Sequence, residues 1–291
     1  MKKITLFSFL AFTSTLFSQT NNDPIYVNYS YFPNSKMDKI DNEATLNLIE
    51  ANVILPKFDL TKTTEVYTNI NYKSYMYDLE KSEEVFPDQL NDIRLGLIIR
   101  QKLAENWEMI ISPRANLRTD FSDNSTKYGI FPSLNVIGIK SSKKVEKLSY
   151  GLGVSYNNDL NKNTIIPLGY LRYETEKLRI NAILPSFAHV ILTPTDKIEY
   201  GLSYNLDAAI FHTDKGLETN PQIYMKTSNI TIAPTFGYNF SGKFWLNAKA
   251  GYAMFRRYQV LNDDFKDVAY TDDNKIKSGL FFGLGVSYRL E

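Results

Sequence analysis

The 291-residue chain contains no cysteine. That excludes disulfides, iron–sulfur clusters and thiolate zinc sites, and with them a lipid anchor on an N-terminal cysteine. Histidine is scarce as well, with only His189 and His212. A net charge of +1 leaves no global field to draw the chain to nucleic acid or an anionic surface. Beyond the N-terminus no segment approaches the roughly eighteen consecutive apolar residues of a membrane-spanning helix. There is no Gly-rich phosphate loop and no basic stripe. These absences leave a soluble globular protein or a β-barrel.

Aromatic residues are abundant. Twenty Tyr and eighteen Phe make 14% of the chain together with two Trp. Aromatic and β-branched residues dominate the patterned segments, as a pleated surface requires.

The N-terminus has the form of an export signal. Lys2 and Lys3 precede an apolar run from Ile4 to Phe17, and small Ser18 stands before Gln19. The run is shorter than the roughly twenty residues of a spanning helix. The reading is a signal peptide over 1–18 and one domain over 19–291.

Within that domain the recurring period is two. Ile198, Tyr200, Leu202, Tyr204, Leu206, Ala208 and Ile210 share one face, against Glu199, Gly201, Ser203, Asn205 and Asp207. Leu148 to Tyr156 and Leu280 to Leu290 repeat the pattern, with Phe281 the exception on the polar face. Such segments exceed the five or six residues of an average globular strand and suit the roughly nine to eleven of a tilted bilayer-spanning one. Apolar outside and small or polar inside is the pattern of a transmembrane barrel.

Connection lengths alternate too. Short links fall at 57–62, 103–106, 141–146, 174–177, 193–197 and 241–243. Long polar links fall at 33–42, 77–89, 119–127, 157–163, 212–221 and 258–275. Outer-membrane barrels alternate short periplasmic turns with long extracellular loops. One outer turn is missing from this series, and Pro185 to Ala188 is the natural place for it. The expectation is an all-β, transmembrane antiparallel β-barrel of about fourteen strands, or twelve if 177–192 is one strand and Tyr26–Phe32 is none. Trp107, Tyr150, Tyr200, Tyr238, Phe240, Phe244 and Tyr288 form one expected interfacial belt. Tyr75, Phe121, Tyr128, Tyr156 and Phe211 form the other. Gly285, Tyr288 and Leu290 resemble the C-terminal signal read by the outer-membrane assembly machinery, in a strand that must close the sheet.

The period turns a set of charges inward. Arg94, Arg100, Arg114, Arg118 and Arg179 share the polar phase, as do Glu199 and Asp207, and a hairpin of 91–103 with 106–118 brings Arg100 near Glu108. Two readings stay open: a charged lining that selects anions, or a mutually paired, side-chain-filled lumen. His212 follows Phe211 at an outer strand end, where lipid-modifying barrels keep catalytic groups, but no Ser is marked as its nucleophile by spacing. His189 is a weaker candidate. Acidic clusters at Asp120 to Asp123, Asp263 to Asp267 and Asp272–Asp273 lack calcium-loop spacing. No catalytic residue, metal site or cofactor is assigned.

The segment Leu178-Arg-Ile-Asn-Ala-Ile-Leu-Pro185-Ser-Phe, then Thr193-Pro-Thr-Asp-Lys-Ile-Glu-Tyr-Gly201-Leu-Ser-Tyr, is similar to a family of uncharacterised outer-membrane barrels from Bacteroidota, known as a domain of unknown function. The resemblance implies the fold and a place in the outer membrane of a Gram-negative cell, and no activity. The expected function is non-enzymatic, a small-solute channel or a structural membrane protein. The expected partners are the lipid bilayer, the assembly machinery and small solutes. A lipid-modifying enzyme at the rim is the alternative.

Overall fold

The computed structural model describes residues 23–81, 86–122, 129–159, 163–213, 223–262, 264–266 and 274–289. The export signal at 1–18, Tyr128 and Leu290 lie outside the described residues. Every regular element among the described residues is a strand. In chain order these are β1 (Ile25–Lys36), β2 (Glu43–Ile54), β3 (Phe58–Thr61), β4 (Thr64–Leu79), β5 (Gln89–Ala104), β6 (Trp107–Thr119), β7 (Ile130–Ser141) and β8 (Leu148–Asn157). They continue with β9 (Thr164–Glu174), β10 (Leu178–Leu184), β11 (Phe187–Thr195), β12 (Ile198–Thr213), β13 (Ile223–Ser241), β14 (Phe244–Leu261), β15 (Lys275–Ile276) and β16 (Gly279–Tyr288).

All sixteen belong to one sheet. β3 pairs with β4 alone and prolongs β2 past Pro56. β15 pairs with β14, bridges Met37 and prolongs β16 toward the long links. The other fourteen form the wall in sequential antiparallel order, closed by β1 on β16 and by β16 on β14. The twelve-strand alternative is excluded. β10 and β11 pair antiparallel across a turn at Pro185–Ser186, where the missing outer turn was expected. Closure removes the free sheet edges that hydrocarbon does not tolerate.

The exterior is apolar in the expected phase. Leu152, Ile165, Leu280 and Leu284 are all more than half exposed on the outer face, a lipid-facing surface. Trp107, Tyr150, Tyr200, Tyr238, Phe240 and Phe244 are exposed near the short links, where one aromatic belt was expected. The other belt is corrected. Tyr156 and Phe121 are exposed, but Tyr75 and Phe211 are fully buried and meet edge-on inside the barrel, with ring centroids 5.5 Å apart. Both stand in the inward phase of their strands, so period two overrides their position near a loop.

The wall is uneven in height. β4, β5, β12, β13 and β14 have 16 to 19 residues, while β10 has seven and β11 nine. β10 falls short of the roughly nine to eleven residues that cross a bilayer, and β11 only reaches the lower bound. Beyond Leu206 the edge of β12 that faced β11 is free of it, and β12 crosses over the shorter strands until His212 meets Thr119 of β6 in parallel register. The long strands thus close a narrower ring toward the long links. Its interior is a packed cluster of Phe32, Tyr75, Tyr77, Phe211, Tyr258 and Phe281 with smaller aliphatics. Tyr77 stacks on Tyr258 at 4.0 Å and Phe32 on Phe281 at 5.3 Å.

One irregularity adds to that filling. At Phe255 the backbone enters the left-handed region (φ 52°), and β14 gains a residue against β13 between Ser228 and Ile230. A bulge of this kind shifts the alternation by one. Ala253 points inward before it, and Arg256 and Tyr258 point inward after it, which strict alternation does not indicate.

Candidate functional site

Below the filled ring the lumen keeps a cavity of about 480 Å³. It runs from the level of Asp23, Glu199 and Arg289 at the short-link end to Lys73 and Asp207. It also reaches Pro185, Ser186 and Phe187 at the tip of the short hairpin, and Leu206 and Ala208 where β12 departs from β11.

Strand register explains which charges meet. Even-numbered residues of β5 and β6 face inward, so Arg94, Arg100, Glu108, Arg114 and Arg118 all enter the lumen. Arg100 donates to both carboxylate oxygens of Glu108, at 2.9 and 2.8 Å. Asp92, which sequence reasoning passed over, is fully buried and accepts from Arg94 Nε at 2.8 Å and Arg118 Nε at 3.1 Å. It shares the phase of Arg94 two residues away, and that spacing was the legible signal. Arg118 also donates to Asp159 at 2.6 Å, a pairing with a residue beyond the end of β8 that alternation does not reveal.

Two further networks involve the remaining candidates. Asp207 of β12 accepts from Lys73 at 2.7 Å and from Tyr75 at 2.8 Å, both on β4. Five wall strands separate β4 from β12 one way round and seven the other, so this contact spans the lumen. Near the short links Glu199 accepts two bonds from Arg289, at 2.8 and 2.7 Å, and one from Arg179 at 3.3 Å. Arg289 also pairs with Asp23 and lies 4.0 Å over the ring of Trp245. The lumen is therefore not polar throughout, contrary to expectation. Besides the filled ring, Ile110, Ile137, Ile139, Leu168 and Tyr170 make an apolar patch on the inner face.

Arg114 is different. It lines the cavity beside Gly96, and its stem lies so close that a Cβ on Gly96 would stand 2.9 Å from Arg114 Cγ. Three other arginines line the cavity and each has a carboxylate: Arg94 with Asp92, Arg179 and Arg289 with Glu199. Arg114 has no ion pair among the described residues.

The histidines fall elsewhere. His189 lines the cavity with Nε2 3.2 Å from Asn205 Oδ1. His212 does not face lipid at the rim as expected. It is 1% exposed, set edge-on to Tyr224 at 5.3 Å where β12 crosses to β6.

Among solved structures, the fold is similar to an outer membrane channel from Pseudomonas putida F1, with 11% identity, TM-score 0.43 and coverage of 92% of this chain and 97% of that one. It is similar to the NanC porin at 10% identity and TM-score 0.38, covering 91% and 100% of the two chains. LpxR from Salmonella typhimurium matches at 7% identity and TM-score 0.37, covering 91% and 99%. No curated protein matches the chain. The family described as Domain of unknown function (DUF6268) matches residues 14–289, and the chain belongs to it.

Proposed function

We propose that this protein is a non-enzymatic outer-membrane channel for small solutes, with its route passing over the low β10–β11 wall. The observation that carries this reading is the cavity's reach from Arg289 to the hairpin tip at Ser186. The filled ring obstructs the axial route. The departure of β12 from β11 beyond Leu206, before it meets β6, supports a lateral one, because backbone that leaves its sheet partner at membrane depth is tolerated only where it lines a cavity or meets protein. Burial of His212 disfavours the rim-enzyme alternative, which needs that ring within reach of lipid. In this reading the wall contacts the lipid bilayer and β16 is the strand presented to the assembly machinery.

Single-channel recording in planar bilayers tests the proposal. Discrete conductance steps are expected, with smaller steps for Ser186→Trp, which adds bulk at the hairpin tip. Absence of steps from protein that still shows heat-dependent gel migration overturns the channel in favour of a structural role. Unchanged steps in Ser186→Trp overturn the lateral route.

A further inference from the structure

From the surroundings of Arg114 we infer that the lumen holds a binding site for a small oxyanion, a carboxylate or a phosphate group. The inference rests on the channel reading, since it names the class of solute that the same cavity takes.

The cross-strand register sets neutral polar residues around Arg114. Ser133 of β7 lies directly opposite it, Ser112 pairs with Asn135, and Asn135 with Ser155 of β8. All of these, and Asn157, line the same cavity as Arg114. Asn157 is already spent on Ser155, at 2.8 Å, and Asn116 on Ser133, at 3.2 Å. Those bonds hold Ser133 and Ser155 in place while their hydroxyl hydrogens stay available as donors. The nearby carboxylates are engaged elsewhere, Asp92 with Arg94 and Arg118, and Asp159 with Arg118.

Gly96 completes the arrangement. Its missing side chain lets the stem of Arg114 lie against β5, so the head reaches the cavity instead of folding back on the wall. A half-buried guanidinium with no ion pair among the described residues favours an anion, and its planar fork matches the two oxygens of a carboxylate or phosphate. Flanking hydroxyls and amides add bonds to the same oxygens or to hydroxyl groups on the solute.

Equilibrium binding to the detergent-solubilised full barrel tests this without requiring transport. Gluconate and inorganic phosphate serve as separate probes, and glycerol as the uncharged comparison. At least one anion is expected to bind, glycerol is not, and Arg114→Gln is expected to weaken binding about tenfold or more, the scale of a charge-assisted hydrogen bond. Lys243→Gln removes the same charge from an exposed short link and is expected to leave binding unchanged. If Arg114→Gln fails to insert, Arg114→Lys keeps the charge without the fork and is expected to bind more weakly than wild type. Which probe binds assigns the carboxylate or phosphate class. Binding of neither anion, or equal binding by wild type and the Arg114 variants, overturns the site. Loss of conductance with binding intact instead overturns the channel reading.

Discussion

At the scale of single residues, glycine and charge placement dominate the interior. Gly201 faces the lumen in β12 opposite Ile191, where a Cβ would stand 2.0 Å from the Val190 carbonyl oxygen. Backbone cannot yield as a flexible side chain does, so the missing side chain is what lets these strands approach. Gly201→Ala is expected to destabilise the barrel by about 1–3 kcal/mol, the range for overpacking. On Gly138 the nearest atom to an added Cβ is 3.9 Å away, and Gly138→Ala is expected within about 0.5 kcal/mol of wild type. Urea unfolding in lipid vesicles measures both. The inward phase of the lumenal arginines was legible from period two alone. Their partners were legible only in part, because Asp159 lies past a strand end and alternation says nothing of where such a residue points.

At the scale of elements, the unequal strands decide the shape of the lumen. β12 outruns β11, loses its neighbour on one edge and crosses to β6. Lys73 and Asp207 hold that crossing from opposite walls, with little of either side chain exposed. Asp207→Asn leaves the Lys73 ammonium without its close partner in a largely buried setting. A cost of about 3 kcal/mol is expected, the scale for removing one member of a buried pair. Replacing both by apolar residues of similar volume is expected to cost less than Asp207→Asn alone. The same unfolding transition reports each. The bulge at Phe255 acts at this scale too, since it turns Tyr258 inward to stack on Tyr77. The alternation of β14 gave no warning, because a bulge changes phase without changing the composition around it.

At the scale of the whole molecule, the exterior is set by its solvent. Leu152 lies midway along β8 and is 78% exposed on the lipid face. Leu152→Arg is expected to cost about 2–4 kcal/mol in a bilayer, as charge does near the midplane of a barrel wall. A lower folded fraction after refolding into vesicles is the readout, with the heat-dependent gel shift reporting the folded form. An unchanged fraction would place this face outside the hydrocarbon.

The amino-acid order alone indicated the strands, most of their inward and outward faces, the short and long ends and a count of fourteen or twelve. Each of these follows from local period and turn chemistry. Only the tertiary structure decided that the barrel narrows, that Tyr75 and Phe211 fill it, that His212 is buried and that Arg114 has no ion pair among the described residues. Those outcomes depend on which strand meets which across the lumen. That is set by differences in strand length and by a bulge summed around a closed sheet, and no local window of sequence contains that sum.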